Sequence, residues 1–567
     1  MCRGNGNICI LVISQGRCSS CNDNGEQSSP FPIRIKAQGE EKSKLAMATL
    51  TWVCHSERPL LVDELCHALA VETGAADFDS ENIPLIGTLL DCCQGLITVD
   101  KEASTVRLIH FTVQEYLCTH PDLPSKPQSI LAETCLTYLN SQQIKNLPSH
   151  PLPDYQKNLF LAYSSIYWGA HANKDLSDHA RTLALRLLDQ YEDHISATSL
   201  LQQELHPRYI GHIGTSPLFS GLHCASYFGI VELVTTLINT KGYQINQRDS
   251  AGGTPLSWAV RNRHEGVVKL LLERDDVDPN LPGISDLTPL GWAAAIGHEG
   301  VVKLLLEREN VDPNRPGMDN RTPLGCAAMM GHEGVVKLLL RVETVDPNRA
   351  DKNDLTPLAW ATAQGHEVVA KLLLGREDID LNRPDKNDLT PLTHAAAMGH
   401  EGVVKLLLRR KDVDPNSLDK NNRTPLGQAA AMGHEGVAKL LLELENVDPN
   451  RPDEKDLTPL AWAASRGHEG VVKLLLRREN VDSNRPDQSD RTPLTWAANQ
   501  GHEGVVQLLL EQESVDPNRV DKDGQPPLVR AVNQGHEGVV KLLLERENVD
   551  PNRPDKNDLT PLWYAAG

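Results

Sequence analysis

Apolar residues in the C-terminal part of the chain recur with a spacing that predicts pairs of short helices. In one example, Leu290, Ala293 and Ala294 lie at the i, i+3, i+4 positions of a narrow helix face. A second apolar run, 301–306, follows after Gly297, a residue that can adopt the positive φ with which many helices end. The pattern therefore predicts a helix, a tight turn and a second helix.

The tripeptide Thr-Pro-Leu opens this pattern and recurs every 34 residues without a slip. The Thr hydroxyl can cap a helix N-terminus, and Pro suits the first helical position, where an N–H would have no partner. A fixed period of roughly 20 to 50 residues is typical of a protein built from stacked repeats. The copies begin at Thr254, Thr288, Thr322, Thr356, Thr390, Thr424, Thr458, Thr492 and Thr560, and Pro526 replaces Thr at the remaining step.

This unit resembles the ankyrin repeat, whose pattern runs Asp-x-x-Gly-x-Thr-Pro-Leu-His-x-Ala and then Gly-His. The Gly before x-Thr-Pro-Leu is kept as Gly252 and Gly524. The His after Leu is replaced, for example by Gly291 or Ala359, which predicts a loss of hydrogen bonds between neighbouring turns. Asp and Asn tolerate a left-handed backbone best after Gly, so the turn should persist where they replace it. They stand at Asp286, Asn320, Asp354, Asp388, Asn422, Asp456, Asp490 and Asp558.

The stretch 45–120 predicts three helices followed by a β-hairpin and the start of another helix, the order found in winged-helix domains. The predicted helices cover 45–54, 61–71 and 83–93, the strands cover 96–99 and 106–111, and the last helix begins near Val113. The residues around Glu57-Arg58-Pro59-Leu60, Cys92-Cys93-Gln94-Gly95-Leu96 and 107–117 resemble the winged helix that follows the NACHT domain in fungal NACHT–ankyrin proteins. That segment is named after a GPI inositol-deacylase, and the name implies no deacylase chemistry.

The predicted fold class is mainly α, an ankyrin-repeat solenoid preceded by a small winged-helix-like module and a helical linker. The predicted domains are a disordered segment 1–44, the winged-helix-like domain 45–120, the linker 121–212 and an array 213–567 of about ten repeats. Trp168, Tyr163 and Tyr167 in the linker are expected core residues. The last repeat stops at Gly567 before its second helix, so fraying, a dimer contact or a truncated gene model is expected there.

Composition and motifs argue against several classes of function. The net charge of −20, with eleven acids and three bases in 45–120, disfavours binding to nucleic acid. No apolar run approaches the roughly 18 residues of a membrane span. No Gly-x-x-x-x-Gly-Lys-Ser/Thr motif occurs, which predicts that the chain binds no nucleotide. The sequence therefore predicts a non-enzyme without a cofactor, in the cytoplasm, with the nucleus as the alternative.

Two patterns that could hold metal are explained better as structure. The repeated His-Glu pairs, such as His298-Glu299, lack the second His of His-Glu-x-x-His, so we expect them to open repeat helices. Cys18 and Cys21 form Cys-x-x-Cys without a second pair at zinc-ribbon spacing. Reduced thiols without a structural task are the preferred interpretation of the twelve Cys, and a metal or redox role is the alternative. No metal site is predicted.

A protein partner is expected, because near-identical repeats differ mainly at a few positions. One position lies two residues after the buried Leu and accepts Trp, Gln and Arg alike, which predicts that it is at least half exposed. The alternative is that each Trp merely covers its neighbouring repeat. The residues just before Gly-His and the turn tips also vary. The predicted partner-binding residues are Trp258, Trp292, Met329, Met330, Trp360, His394, Met398, Gln428, Met432, Trp462, Arg466, Trp496, Gln500 and Arg530.

Two functions follow from these expectations. The first is a protein–protein interaction scaffold that uses the concave face of the ankyrin array. The second is the recognition and regulatory arm of a fungal NLR-like protein for non-self recognition that lacks its NTPase domain, and it rests on the family resemblance alone.

Overall fold

The computed structural model describes residues 31–74, 78–119, 124–147, 159–191, 194, 201, 219–240, 243–283 and 286–566. Contacts divide the chain into two compact units, 1–284 and 285–567, and each is described by itself. The predicted Cys18–Cys21 pair and residues 1–30 of the predicted disordered segment lie outside the described residues.

The first unit begins with helices and a hairpin. Helices cover Phe31–Lys36 (α1), Glu40–His55 (α2), Val62–Leu69 (α3), Ile86–Cys92 (α4) and Phe111–Thr119 (α5), with a 3-10 turn at Ser80–Asn82. The strands Ile97–Asp100 (β1) and Thr105–Leu108 (β2) pair antiparallel, with Ile97 opposite Leu108, and Leu61 forms a bridge to Thr105. The second strand is shorter than predicted, because Phe111 begins α5.

The predicted disorder up to Lys44 is wrong for the described part of that segment. Residues Phe31–Lys36 and 40–44 are helical. Ile35 is buried, and the Gln38 side-chain amide donates to the Cys92 carbonyl at 2.8 Å. Composition averaged over 1–44 hides these few residues, which pack against the winged helix.

The linker helices are Pro127–Asn140 (α6), Gln142–Lys145 (α7), Leu159–Lys174 (α8) and Asp178–Asp189 (α9). Trp52 of α2 meets Phe160 and Tyr163 of α8 edge-on, with ring centroids 5.5 and 5.8 Å apart. Trp168 and Tyr163 are fully buried, as expected of core residues, whereas Tyr167 is half-buried. Aromatic packing therefore joins the linker to the winged-helix segment.

Ten helix pairs and a final single helix follow in the described part of the array, and we number these repeats 1 to 11. The first helices of repeats 1 to 11 are Gly221–Phe228, Pro255–Arg261, Pro289–Ala295, Pro323–Met330, Pro357–Ala363, Pro391–Met398, Pro425–Met432, Pro459–Arg466, Pro493–Gln500, Pro527–Asn533 and Pro561–Ala566. The second helices of repeats 1 to 10 are Val231–Asn239, Glu265–Leu272, Glu299–Leu306, Glu333–Leu340, Glu367–Leu373, Glu401–Leu407, Glu435–Leu442, Glu469–Leu476, Glu503–Leu510 and Glu537–Leu544. Repeats 1 and 2 belong to the first unit and repeats 3 to 11 to the second.

The caps form as the sequence predicts. In repeat 6 the Thr390 hydroxyl accepts from the Thr393 N–H, and Pro391 takes the first helical position. Gly399 ends the helix with φ +76°, and Asp388 in the preceding turn has φ +60°. Asp and Asn at the other predicted turn positions also have positive φ, so they replace the Gly of the ankyrin pattern without loss of the turn.

Hydrogen bonds join neighbouring repeats at three recurring places. In repeats 2 and 4 to 10, the His before the second helix faces a carbonyl of the preceding repeat, as in His434 Nε2 to the Ala397 oxygen at 3.0 Å. The Asn of the Val-Asp-Pro-Asn loop bonds both ways to the next loop: Asn314 donates to the Thr344 carbonyl at 2.6 Å and accepts from the Asp346 N–H. Backbone bonds link the turn tips, as in Lys386 N to the Asn353 oxygen at 3.0 Å. The predicted loss of bonding between turns is thus offset at these three places.

Candidate protein-interaction surface

Apart from Met329, the predicted partner-binding residues occupy two equivalent positions of the first helices. We call the row two residues after the buried Leu the donor row. It contains Trp258, Trp292, Cys326, Trp360, His394, Gln428, Trp462, Trp496, Arg530 and Tyr564. We call the residue just before each Gly-His the end row. In repeats 4 to 9 it contains Met330, Gln364, Met398, Met432, Arg466 and Gln500. Together with the turn tips these rows form what we call the first-helix face.

Side chains of the donor row bond to a carboxylate nine residues earlier in the chain. In repeat 8 the Trp462 Nε1–H donates to Asp453 Oδ2 at 3.0 Å. The same Asp accepts the backbone N–H groups of Lys455 and Leu457 through Oδ1. One carboxylate thus fixes both the turn and the side chain of the donor row. The other pairs are Trp258–Asp249, Trp360–Asp351, His394–Asp385, Gln428–Asp419, Trp496–Asp487, Arg530–Asp521 and Tyr564–Asp555, at 2.5 to 3.1 Å.

The prediction that the donor row is at least half exposed is wrong. Trp258 and Gln428 are buried, and Trp360, His394 and Trp462 are only partly exposed. The position accepts Trp, His, Gln, Arg and Tyr because all of them can donate a hydrogen bond to the same carboxylate. The variation reflects a shared donor and carries no information about exposure. A role of this row in partner binding stays a prediction.

Two repeats have Gly in place of this Asp. Nine residues before Cys326 stands Gly317 in place of Asp, and Cys326 is buried. Gly283 stands nine residues before Trp292, which is half-buried. The sequence reasoning missed the row of buried Asp residues, although their constant spacing of nine residues from a donor was a signal that could have revealed it.

Arginine side chains cover several of the Trp rings. The Arg423 guanidinium lies 4.4 Å from the centroid of the Trp462 ring, and Arg321 lies 4.7 Å from that of Trp360. Arg491 lies 4.9 Å from the ring of Trp496 in its own repeat. Cations at these distances are attracted by the aromatic face, so both partners are held in place.

The end row is the exposed part of the predicted surface. Met330, Met398 and Met432 are 51%, 58% and 46% exposed, and Arg466 and Gln500 are also exposed. Met329, one residue earlier in repeat 4, is half-buried. Unbranched, polarisable Met side chains adapt to different contact surfaces. The end row therefore offers the accessible and variable contacts that the donor row does not.

A groove opens between repeats 8 and 9 on the first-helix face. Its volume is about 570 Å³, and Trp462, Arg466, Arg491 and Trp496 line it. Lys455 at the turn tip also lines it, as does Asp487, which accepts from the Trp496 indole. The groove therefore combines aromatic surface with cationic groups.

The free thiols that the structure describes are buried. Burial raises the pKa of Cys66 and of Cys326 to about 11 and the pKa of Cys93 to about 12. The thiolate is the nucleophilic form, and it is scarce at neutral pH when the pKa is this high. None of these three Cys forms a disulfide.

The described residues show neither a metal-ligand cluster nor a helix able to span a membrane. In that part of the chain, no group of three or more His, Cys, Asp and Glu residues could hold a metal ion. None of the helices described above combines the length and the apolar character needed to cross a membrane.

Comparison with protein families agrees with this geometry. The family model of ankyrin repeats matches residues 222–317, 290–385, 369–453, 444–521 and 513–567, which together cover more than half of the chain. The model of the GPI inositol-deacylase winged helix domain matches residues 34–126.

A curated protein of Monascus ruber is also similar to this chain. It is described as azaphilone pigments biosynthesis cluster protein L and is 25% identical over 258 residues. The match covers 40% of this chain and 54% of that protein, so the chain spans about half the length of this relative.

Proposed function

Because this chain belongs to the ankyrin-repeat proteins, we propose that it is a scaffold that binds a partner protein through the first-helix face. The concave face of ankyrin arrays is formed by the corresponding elements. One observation carries the proposal: the packing residues recur from repeat to repeat, whereas the exposed end row changes. Its residues in repeats 4 to 9 are Met, Gln, Met, Met, Arg and Gln.

The partner is proposed to contact both apolar and polar side chains along the end row. Met398 and Met432 stand one repeat apart and supply exposed apolar surface. Arg466 is the next residue of the row, and its guanidinium lies 3.7 Å from the Met432 sulfur. A partner that covers these three side chains buries an apolar contact next to a charge, the combination found at many interface centres.

The experiment isolates a partner by affinity capture with the full chain and maps its footprint by hydrogen–deuterium exchange. We expect slower exchange at the ends of the first helices and at the turn tips when the partner is bound. Slower exchange confined to the second helices, such as Glu401–Leu407, would contradict the proposal.

The chain is further proposed to be a non-enzyme that binds no nucleotide and no nucleic acid. The proposal rests on the missing phosphate-binding motif and on the net charge of −20. Titration calorimetry of the full chain with ATP and Mg²⁺ is expected to give no binding heat. A dissociation constant in the micromolar range would overturn this part of the proposal.

A second candidate function is the recognition and regulatory arm of a fungal NLR-like signalling protein, with no NTPase motif within residues 1–567. The match of residues 34–126 to the winged helix domain favours it, because the winged helix precedes the repeats in the same chain. Transcript sequencing across the region upstream of Met1 tests this candidate. A reading frame with a phosphate-binding motif there supports it, and a transcript that opens at Met1 supports the scaffold.

A further inference from the structure

We propose that the groove between repeats 8 and 9 binds an acidic peptide segment of the partner, in which an apolar side chain lies between carboxylates. The inference rests on the proposed scaffold function and adds the chemistry of the partner. The observations that support it are three cationic side chains, two Trp rings and the negative net charge of the chain.

Three positive side chains border the groove. Arg466 and Lys455 are exposed and Arg491 is half-buried. In the part of the chain that the structure describes, no Asp or Glu carboxylate oxygen lies within 4.0 Å of a charged nitrogen of these three side chains, so none of them forms an ion pair there. The one carboxylate of the lining, Asp487, already accepts from the Trp496 indole and from the backbone N–H groups of Ser489 and Arg491. The lining of the groove thus carries three cationic side chains and a single carboxylate, in a chain of net charge −20.

The two arginines are also oriented in advance. Arg466 lies 5.5 Å from the centroid of the Trp462 ring, and Arg491 lies 4.9 Å from that of Trp496. Each indole is held at its Nε1 by a carboxylate, Asp453 or Asp487. A guanidinium that rests on a fixed ring keeps its N–H groups in a plane suited to bidentate contact with a carboxylate. Less side-chain entropy is lost on binding as a result.

Within repeats 3 to 11, a pair of arginines occurs at one junction between neighbouring repeats. The junction pairs an end-row residue with the residue before Thr-Pro-Leu of the next repeat, here Arg466 with Arg491. The other junctions pair Ile296 with Arg321, Met330 with Leu355, Gln364 with Leu389, Met398 with Arg423, Met432 with Leu457, Gln500 with Gln525 and Gln534 with Leu559. A site with two arginines is therefore local to repeats 8 and 9.

A peptide fits the surroundings of the groove better than a nucleic acid does. Asp456 and Asp490 are exposed at the neighbouring turn tips and would repel a continuous phosphate backbone. A peptide can place its few carboxylates at Arg466 and Arg491 and remain neutral elsewhere. Its apolar side chain would contact the parts of Leu457, Trp462 and Trp496 that line the groove.

The test selects a random peptide library displayed on phage against the full chain and measures the enriched peptides by fluorescence anisotropy. We expect the peptides to carry Asp or Glu on both sides of an apolar residue. Arg466→Gln/Arg491→Gln should weaken their binding at least about tenfold, since each change removes a charge-assisted contact. The matched control, Arg409→Gln/Arg477→Gln, removes two exposed arginines that follow second helices and should change affinity less than about twofold.

Several results would overturn the assignment: no enriched peptide, enriched peptides without acids, equal weakening by the control, or displacement of the peptide by single-stranded oligo(dT). Arg466 is exposed, so Arg466→Gln alone keeps the fold and serves as a second variant. A natural partner that depends on Met398 and Met432 but not on Arg466 and Arg491 would remove the acidic-peptide assignment and leave the scaffold proposal standing.

Discussion

Replacement of Asp453 by alanine is expected to lower the free energy of unfolding of the array by about 3 kcal/mol. The side chain is buried and accepts hydrogen bonds from the Trp462 indole and from the backbone N–H groups of Lys455 and Leu457. Alanine leaves these donors without an acceptor, and a buried unpaired donor is costly. Urea unfolding followed by helical circular dichroism measures the change.

Asp448→Ala is the matched control for this change. Asp448 is exposed in the loop of the preceding repeat and accepts from the Asn450 N–H at 2.9 Å. We expect a loss below about 1 kcal/mol, since water can replace an exposed acceptor. Equal losses for the two variants would contradict a special role of the buried carboxylate.

Gly399→Ala is expected to cost about 2–3 kcal/mol, more than the left-handed backbone alone explains. Gly399 has φ +76°, and a Cβ there would lie 2.5 Å from Nδ1 of His434 in the next repeat. His434 cannot move away freely, because its Nε2 faces the Ala397 carbonyl at 3.0 Å. The clash and the lost bond add to the backbone strain, and urea unfolding measures the sum.

Gly535→Ala separates the cost of backbone strain from the cost of the clash with the His of the next repeat. Gly535 has nearly the same φ, +74°, but a Cβ there would meet no atom of the described residues within 4 Å. This variant should lose only about 1 kcal/mol, from backbone strain. A loss as large as that of Gly399→Ala would show that the contact with the His of the next repeat has no energetic weight.

The repeat architecture could be predicted from the sequence because local rules and packing agree there. Thr390 and Pro391 start a helix, and Gly399 ends it. The apolar stripe between them, formed by Leu392, Ala395 and Ala396, is buried. The positive φ of Asp388 followed from the known tolerance of Asp for that conformation. Each of these statements depends on a few neighbouring residues, which the sequence displays directly.

The exposure of the donor row could not be predicted in this way. Trp462, Gln428 and Arg530 differ in size and polarity, and such variety is usual at exposed sites. Their common feature is a donor that reaches a carboxylate across the turn, as in Gln428 to Asp419 at 2.5 Å. Whether a side chain nine residues away lies within reach depends on the folded turn. The spacing was visible in the sequence, but its meaning required the structure.

The measurement that tests the central claim most directly is the affinity of the isolated partner for Met398→Asp/Met432→Asp and for Val368→Asp. Met398 and Met432 are 58% and 46% exposed on the first-helix face, and Val368 is 44% exposed on a second helix. If the first-helix face binds the partner, the double change should weaken binding at least about tenfold, and Val368→Asp should leave it nearly unchanged. Unchanged affinity for the Met variant together with weakened binding by Val368→Asp would contradict the claim.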